Sequence, residues 1–376
     1  MPNHIYNRRS FLKSAGLISV GFAVSPILES CISTTRSKKI EEIWFKKIDL
    51  SLRDKYKKFS EIIRCGTFAP STHNSQPWKF KIKDNSILIY PDFSRRCPVV
   101  DPFDRELYIS LGCAIENIVI AACKFGYKTD IQYFLTESSK DDYILLTLSE
   151  SLECNDLIMF DSITKRQTNR SIYDKIVIPD NDLNELKSFI VNKELKAEIF
   201  TEKKYFDLLV DYITQANTML IDNKKYTAEL QSWIRYSDSE AEEKLDGLYT
   251  KAMGTASAPK GLGKMLFSII TTPEAQTMSD AERINSSSAL TCFFSEDNKM
   301  DWLKTGQFLQ RYLLKLTAMG LKYAFMCQPC QVQGLRNDFA REFNHKGLKP
   351  QIALRIGYSK SMPHSPRRKI EDVILQ

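Results

Sequence analysis

The chain has 376 residues with 53 basic and 46 acidic side chains, a formal net charge of +7, and 43% hydrophobic residues. That length and apolar content allow two domains, or one large one around a sizeable core. Basic residues do not gather into a stripe with interleaved aromatics, so the charge carries no nucleic-acid footprint.

The chain opens with Asn7-Arg8-Arg9-Ser10-Phe11-Leu12-Lys13, followed by an uncharged run from Ser14 to Leu28. Two adjacent arginines before a short apolar run, broken by Gly16, Gly21 and Pro26, read as a twin-arginine signal over residues 1–31. The run is shorter than the ~20 apolar residues that span a bilayer. The expected partner is the twin-arginine export machinery, which places the protein in the periplasm or on a membrane surface. Leu28-Glu29-Ser30-Cys31 resembles a lipobox, with Glu29 a departure. Cys31 is therefore either a lipidated lipoprotein anchor or a chance cysteine near the cleavage point. Removing residues 1–30 takes away Arg8, Arg9, Lys13 and Glu29 and leaves a net charge of +5.

A charged helical stretch from Glu41 to Cys65 begins the folded body near residue 40. The loop Ala69-Pro70-Ser71-Thr72-His73-Asn74-Ser75-Gln76-Pro77-Trp78 follows, dense in small donors that could reach the polar edge of a flat heterocycle, or simply an ordinary polar loop. Alternation through Trp78, Phe80 and Ile82, then Ile87 to Tyr90, predicts a hairpin turning at Asp84-Asn85.

Next comes an internal repeat. The helical segment Leu111-Gly112 through Gly126-Tyr127-Lys128 matches Thr305-Gly306 through Gly320-Leu321-Lys322 at a constant offset of 194. Each has glycines fourteen apart, an aliphatic spine, and a lysine two residues after the second glycine. Two such helices imply a duplicated unit in which a long core helix leads into a strand. Further strands are expected at Asp142–Ser149, Lys196–Thr201, Leu290–Ser295 and Gln351–Tyr358, giving an α+β class.

Nine cysteines are too sparse for a disulfide scaffold, and Cys113 and Cys123 fall in the apolar helical pattern as small core hydrophobes. Cys327-Gln328-Pro329-Cys330 is a CxxC whose helix signal runs before it and not after, so redox use is the minor reading. Lys165-Arg166-Gln167-Thr168-Asn169-Arg170 closes the apolar segment Leu157–Ile163, and its arginine forks suit a phosphate as well as a solvated helix end. A second basic cluster, Pro366-Arg367-Arg368-Lys369, lies beyond the last strand. The four histidines show no metal-site spacing, and no nucleophile elbow or P-loop occurs.

Taken in order, APSTHNSQPW, RQTNR, the GQxxxxxLLxxxAxGL helix and the GY…PRRKIEDV tail resemble the nitroreductase superfamily of FMN-binding oxidoreductases, and more closely its Acg-type branch, over about residues 55–376. The resemblance implies a flavoprotein fold that normally works as an intertwined dimer with FMN between subunits. The PSxxN loop comes from one subunit, and the arginines and basic tail come from the other. Here the two sets sit in opposite halves of one chain, 40–153 and 154–376, which implies an internal pseudo-dimer retaining one complete site. Carried over residue by residue, Ser71, Thr72 and Asn74 meet the isoalloxazine, Gln328 lies beside it, and Arg166, Thr168, Arg170 and Arg368 hold the phosphate.

The implied reaction is two-electron transfer through the flavin to a small aromatic or quinone-like acceptor. Relatives in the cytoplasm use nicotinamides, so an exported version draws electrons from another donor. A charged, Gly/Ala/Ser-rich excursion at 233–264 could cover the site as a lid. That feature motivates an alternative, a flavin-sequestering protein without turnover. A flavin-free cell-envelope interaction protein is a third reading.

Overall fold

The computed structural model describes residues 36–376 apart from 152, 155 and 192–194. The signal segment and Cys31 lie outside the described residues. The stretch expected as one helix from Glu41 to Cys65 is two, α1 (Lys38–Phe45) and α2 (Lys55–Thr67). Each starts on a side-chain cap, Ser37 accepting from the Ile40 amide and Asp54 from the Lys57 amide. Asp49, which accepts from both the amide and the hydroxyl of Ser51, lies in the break between them.

Strands β1 (Trp78–Lys83) and β2 (Ser86–Pro91) form the expected hairpin, with Asp84 in the left-handed region at φ 52°. Helix α3 (Arg105–Lys124) follows, then β3 (Tyr127–Phe134) and β4 (Tyr143–Glu150), which complete an antiparallel sheet in the order β1-β2-β4-β3. A connecting region holds α4 (Leu157–Ile163) and α5 (Asp180–Phe189). The second sheet contains β5 (Lys196–Phe200), β8 (Ala289–Ser295), β9 (Lys322–Phe325) and β10 (Lys349–Gly357) in the order β5-β8-β10-β9, again antiparallel throughout. Both sheets therefore share one connectivity, with a long helix between the second and third strand in sequence. The α+β class and the duplication read from the sequence are what the chain forms.

Between β5 and β8 the chain inserts α6 (Lys203–Ile221), α7 (Lys224–Trp233), the short strands β6 (Ile234–Arg235) and β7 (Leu248–Tyr249), and helices α8 (Asp238–Lys244), α9 (Lys260–Ile270) and α10 (Pro273–Asn285). Helix α11 (Lys299–Ala318) follows β8, and α12 (Gln328–Gln331) and α13 (Gln333–Arg341) lie between β9 and β10.

The pairing of α3 with α11 organises the molecule. Both are 20 residues long and start 194 residues apart, and each ends at a positive-φ glycine, Gly126 or Gly320. They cross at Gly112 and Gly306, where a Cβ on either residue would fall 2.9 Å from the other's Cα. Glu116 accepts from Arg311 Nε at 2.7 Å, and Asn117 Oδ1 accepts from Gln310 at 2.7 Å. Positions 116 and 310 are repeat equivalents, as are 117 and 311, so each pairs with the other's counterpart. That reciprocity is the signature of a two-fold interface, here within one chain. α3 is apolar and long enough to cross a bilayer, but 89% of that stretch is buried inside the molecule.

One cysteine reading is corrected. Cys113 is a buried free thiol, whereas Cys123, near the end of α3, is bonded to Cys154 in the connecting region. Closing that 31-residue separation removes chain entropy from the unfolded state, worth about 3–4 kcal/mol in the loop-entropy account. The double variant Cys123→Ser, Cys154→Ser should unfold at correspondingly lower denaturant. An unchanged midpoint under non-reducing conditions would show that the bond does not form.

Candidate functional site

The loop between α2 and β1 is held in a strained shape. His73, Asn74 and Gln76 all have positive φ, at 49°, 55° and 54°. For His this costs on the order of 1 kcal/mol or more, and such strain persists only where surrounding bonds fix it. Asn74 donates to the carbonyls of Gly247 at 3.1 Å and Pro366 at 2.9 Å and accepts from Arg367 at 2.7 Å. Gln76 donates to the Leu245 carbonyl at 2.9 Å and accepts from the Arg368 amide at 2.9 Å. These two amides stitch the loop to the 245–247 segment and to the C-terminal tail.

Beneath the loop lie two adjoining cavities. The larger, about 230 Å³, is walled by Ser71, Thr72 and His73, by Glu106, Ile109, Ser110 and Cys113 of α3, by Phe325, Cys327 and Gln328 beyond β9, and by Leu248 and Met253. The narrower, about 50 Å³, is walled by Asn74, Arg166, Thr168 and Arg367 with Trp44 and His364. Pro70, Ser71, Arg170, Leu248 and Phe325 line both.

Seven of the eight residues singled out in the sequence line these cavities: Ser71, Thr72, Asn74, Arg166, Thr168, Arg170 and Gln328. Their freedom differs. Ser71 Oγ accepts from the Gln76 amide at 2.9 Å and keeps its own proton to donate. Thr72 donates to Glu106 at 2.6 Å, Gln328 donates to Asp280 at 3.0 Å, and the Asn74 amide is fully committed as above. The eighth, Arg368, lines neither cavity. Its guanidinium donates to the carbonyls of Gln76 and Asp372 and lies 3.5 Å from Asp92. Its neighbour Arg367 lies in the wall instead, 4.7 Å over the Trp44 ring. Glu106 was missed because it joins the loop from 34 residues away.

The electrostatics of the narrow end are one-sided. Arg166, Arg170 and Arg367 form no ion pair among the described residues. Arg166 donates to the Phe68 carbonyl at 2.9 Å and to Tyr323 Oη, and its Nε has no partner. Arg367 donates to Asn74 and to the Pro366 and Ala69 carbonyls, and its Nε is likewise unmatched. Burial and the nearby Arg166 push the Arg367 pKa well below the usual arginine value. Arg170 is brought down to about 10 by burial and by Arg283 and Arg355. Glu41, by contrast, is engaged by His364 and Arg36. Buried cations without counterions are costly, so this arrangement is built for an anion.

The CxxC motif is also corrected. A short helix, α12, starts directly after Cys327, with Pro329 in its first turn. Burial pushes the Cys330 thiol up to about 11 and Cys327 well above its normal value, so neither supplies a thiolate at neutral pH.

His73 gives a pH prediction. Burial, helped by Arg170 and opposed by Glu106, pushes its pKa from 6.5 down to about 4, and Nε2 has no partner. Between those values the unfolded chain binds a proton that the folded chain does not, so stability falls as pH drops through this window, by up to ~3 kcal/mol. His73→Asn, which tolerates positive φ, should flatten acid melts of the flavin-free protein between pH 6.5 and 4. Equal slopes for both proteins would remove His73 as the cause.

A family model described as "Putative TM nitroreductase" matches residues 6–122. The Mycobacterium tuberculosis H37Rv protein named "Putative NAD(P)H nitroreductase Rv3131" is 24% identical over 324 residues, covering 83% of this chain and 90% of its own. "Putative NAD(P)H nitroreductase acg" of the same organism is 21% identical over 314 residues, covering 81% and 91%. Among solved structures, the FMN-dependent nitroreductase NfnB from Mycobacterium smegmatis in complex with NADPH aligns at 11% identity over 54% of this chain and 88% of its own, with a TM-score of 0.32. The chain thus carries a nitroreductase family match in its first third and is similar, over more than four fifths of its length, to proteins named NAD(P)H nitroreductases.

Proposed function

We propose that the chain is an exported, FMN-dependent oxidoreductase of nitroreductase type that reduces a small aromatic or quinone-like acceptor. The observation that carries the reading is the set of unpaired arginines, Arg166, Arg170 and Arg367, at the narrow end of a larger, mixed-polarity cavity. A ribityl phosphate supplies the missing dianion, and the larger cavity offers the Ser71 hydroxyl and the apolar walls of Ile109, Cys113 and Phe325 to a flat ring. FMN, when bound, supplies reversible two-electron chemistry. The chain's own residues bind the phosphate, orient the ring edge and exclude water.

One site per chain is favoured by the repeat itself. Cys113 and Cys327 wall the larger cavity, and their equivalents at the 194-residue offset are Gln307 and Tyr133. Tyr133 donates to Gln307 at 2.6 Å, so larger side chains bonded to each other stand at the symmetry-related position where the site has two cysteines. Export is supported by the Cys123–Cys154 bond, which persists in an oxidising compartment. Nicotinamides are not normally supplied there, so the donor is a different reductant.

The sequestering alternative draws on the covering segment. Leu248 and Met253 close the cavity, and Asp246 is clamped by Arg235 at 2.6 Å and by Arg95. Protein made without residues 1–31 should purify yellow with one FMN per chain, and quinols or dithionite should bleach it. Colourless protein that cannot be reconstituted overturns the flavin assignment, two FMN per chain overturns the single site, and flavin that no donor bleaches leaves only sequestration.

A further inference from the structure

Helix α9 leaves most of its apolar side chains exposed. Leu262, Met265, Leu266, Ile269 and Ile270 recur at i, i+3, i+4, i+7 and i+8, and all are 42–62% exposed. The only buried residue of the helix is Gly263, placed against Tyr236, where a Cβ would lie 2.4 Å from the ring. An amphipathic helix normally turns such a stripe inward. Here the stripe faces outward, and a helix with one buried residue lies on the surface instead of lining a groove. The helix contains no acidic residue and carries Lys260 and Lys264. Lys260 reaches Glu240, while Lys264 has no partner among the described residues.

We propose that α9 docks the protein on an anionic lipid surface, its apolar stripe entering the headgroup boundary and Lys264 reaching a lipid phosphate. An outward apolar stripe on a helix whose polar side carries lysine and no acid is the pattern of an interfacial helix. The face of one 11-residue helix is small against the roughly 800 Å² per partner of a stable dimer, whereas an anionic headgroup layer complements the uncompensated Lys264. Helix α9 also continues the segment that covers the cavity: Leu248 and Met253 form part of the wall, and the chain turns at Gly254, φ 84°, before entering α9. Docking therefore brings the cover of the cavity to the lipid. On the flavin reading, which this last step alone rests on, the acceptor is a lipid-dissolved quinone, or the donor is its quinol, oxidised to the quinone as the flavin is reduced, and not a water-soluble compound.

The test uses the full chain with Cys31→Ser and Met265→Cys, labelled at position 265 with an environment-sensitive dye. The remaining free cysteines are buried. Vesicles of phosphatidylethanolamine with phosphatidylglycerol should blue-shift and brighten the dye, and high salt should weaken the effect. Adding Leu266→Glu and Ile269→Glu should lower vesicle affinity roughly tenfold or more. No shift with anionic vesicles overturns the proposal. So does a shift that appears without lipid and grows with protein concentration, which identifies a second copy as the occupant. Flavin absorbance is read on the same samples. Yellow protein that does not dock refutes the lipid surface alone, and colourless protein that docks refutes the flavin reading alone.

Discussion

Arg170→Ala should weaken FMN binding about 10–100-fold while making the flavin-free protein more resistant to heat. Arg170 lines both cavities and forms no hydrogen bond or ion pair among the described residues. Removing a charge-assisted contact to phosphate costs ~1.5–3 kcal/mol, which is the stated range in affinity. Stability moves the other way. Burial and the neighbouring arginines Arg283 and Arg355 lower the Arg170 pKa to about 10, so it stays charged at neutral pH but carrying that charge costs folded-state stability. Alanine removes that penalty, on the order of 1–3 kcal/mol. Arg166→Ala shares the loss of affinity without the gain, because Arg166 also donates to Tyr323 and to the Phe68 carbonyl. Arg36→Ala, whose side chain is 42% exposed and lines neither cavity, is the control and should leave flavin affinity unchanged. Flavin titration and thermal melts of the flavin-free protein read both quantities. An Arg170 variant that keeps full affinity would remove the phosphate from this end of the site.

The repeat was legible because its signal is steric and recurs: two glycines at one offset mark a close crossing of two long helices. The hairpin was legible because alternation and an Asp-Asn turn agree. Other features depend on geometry that no local pattern encodes. Cys123 reads as a core residue by periodicity, and its partner Cys154 sits in irregular chain whose path is set by packing. The basic cluster 366–369 lies in irregular chain just before the 3-10 turn Ile370–Asp372, and only the residues after that turn pair with β1, Phe80 donating to Val373 and Leu375 donating to Phe80. Which of the two arginines faces the cavity is settled by that irregular path: Arg367 donates to Asn74 and the Ala69 carbonyl in the wall, whereas Arg368 donates to the Gln76 and Asp372 carbonyls outside it. Resemblance identified the PSTHN loop but not the work each member does. Asn74, expected at the ring, spends its amide holding the loop to the tail and the covering segment. The break between α1 and α2 did leave a trace, since Asp54 is a good cap three residues before Lys57.

Gly306→Ala should abolish folding, although alanine is normally the better helix former. In an exposed helix the same change gains roughly 1 kcal/mol. At position 306 the new Cβ would lie 2.0 Å from the Ile109 carbonyl oxygen and 2.9 Å from Gly112 Cα, and both obstacles are backbone. No rotamer relieves such a clash; α3 and α11 must separate. Separation breaks the Glu116–Arg311 and Asn117–Gln310 bonds together with the apolar seam on which both sheets rest. The expected cost is therefore above the ~1–3 kcal/mol usual for overpacking, at about 4–5 kcal/mol, enough to unfold a chain of ordinary stability. Gly112→Ala should behave alike, because its Cβ would meet the Leu303 carbonyl oxygen at 2.1 Å, the repeat counterpart of Ile109. Gly320→Ala separates steric from conformational cost. Its φ is 76° but nothing lies within 4 Å, so it should lose only about 1 kcal/mol. Soluble yield and denaturant midpoints of the three variants rank them. Wild-type stability in either crossing variant would mean that the halves do not meet at this glycine pair, and the single interface that makes one chain act as two subunits would have to be placed elsewhere.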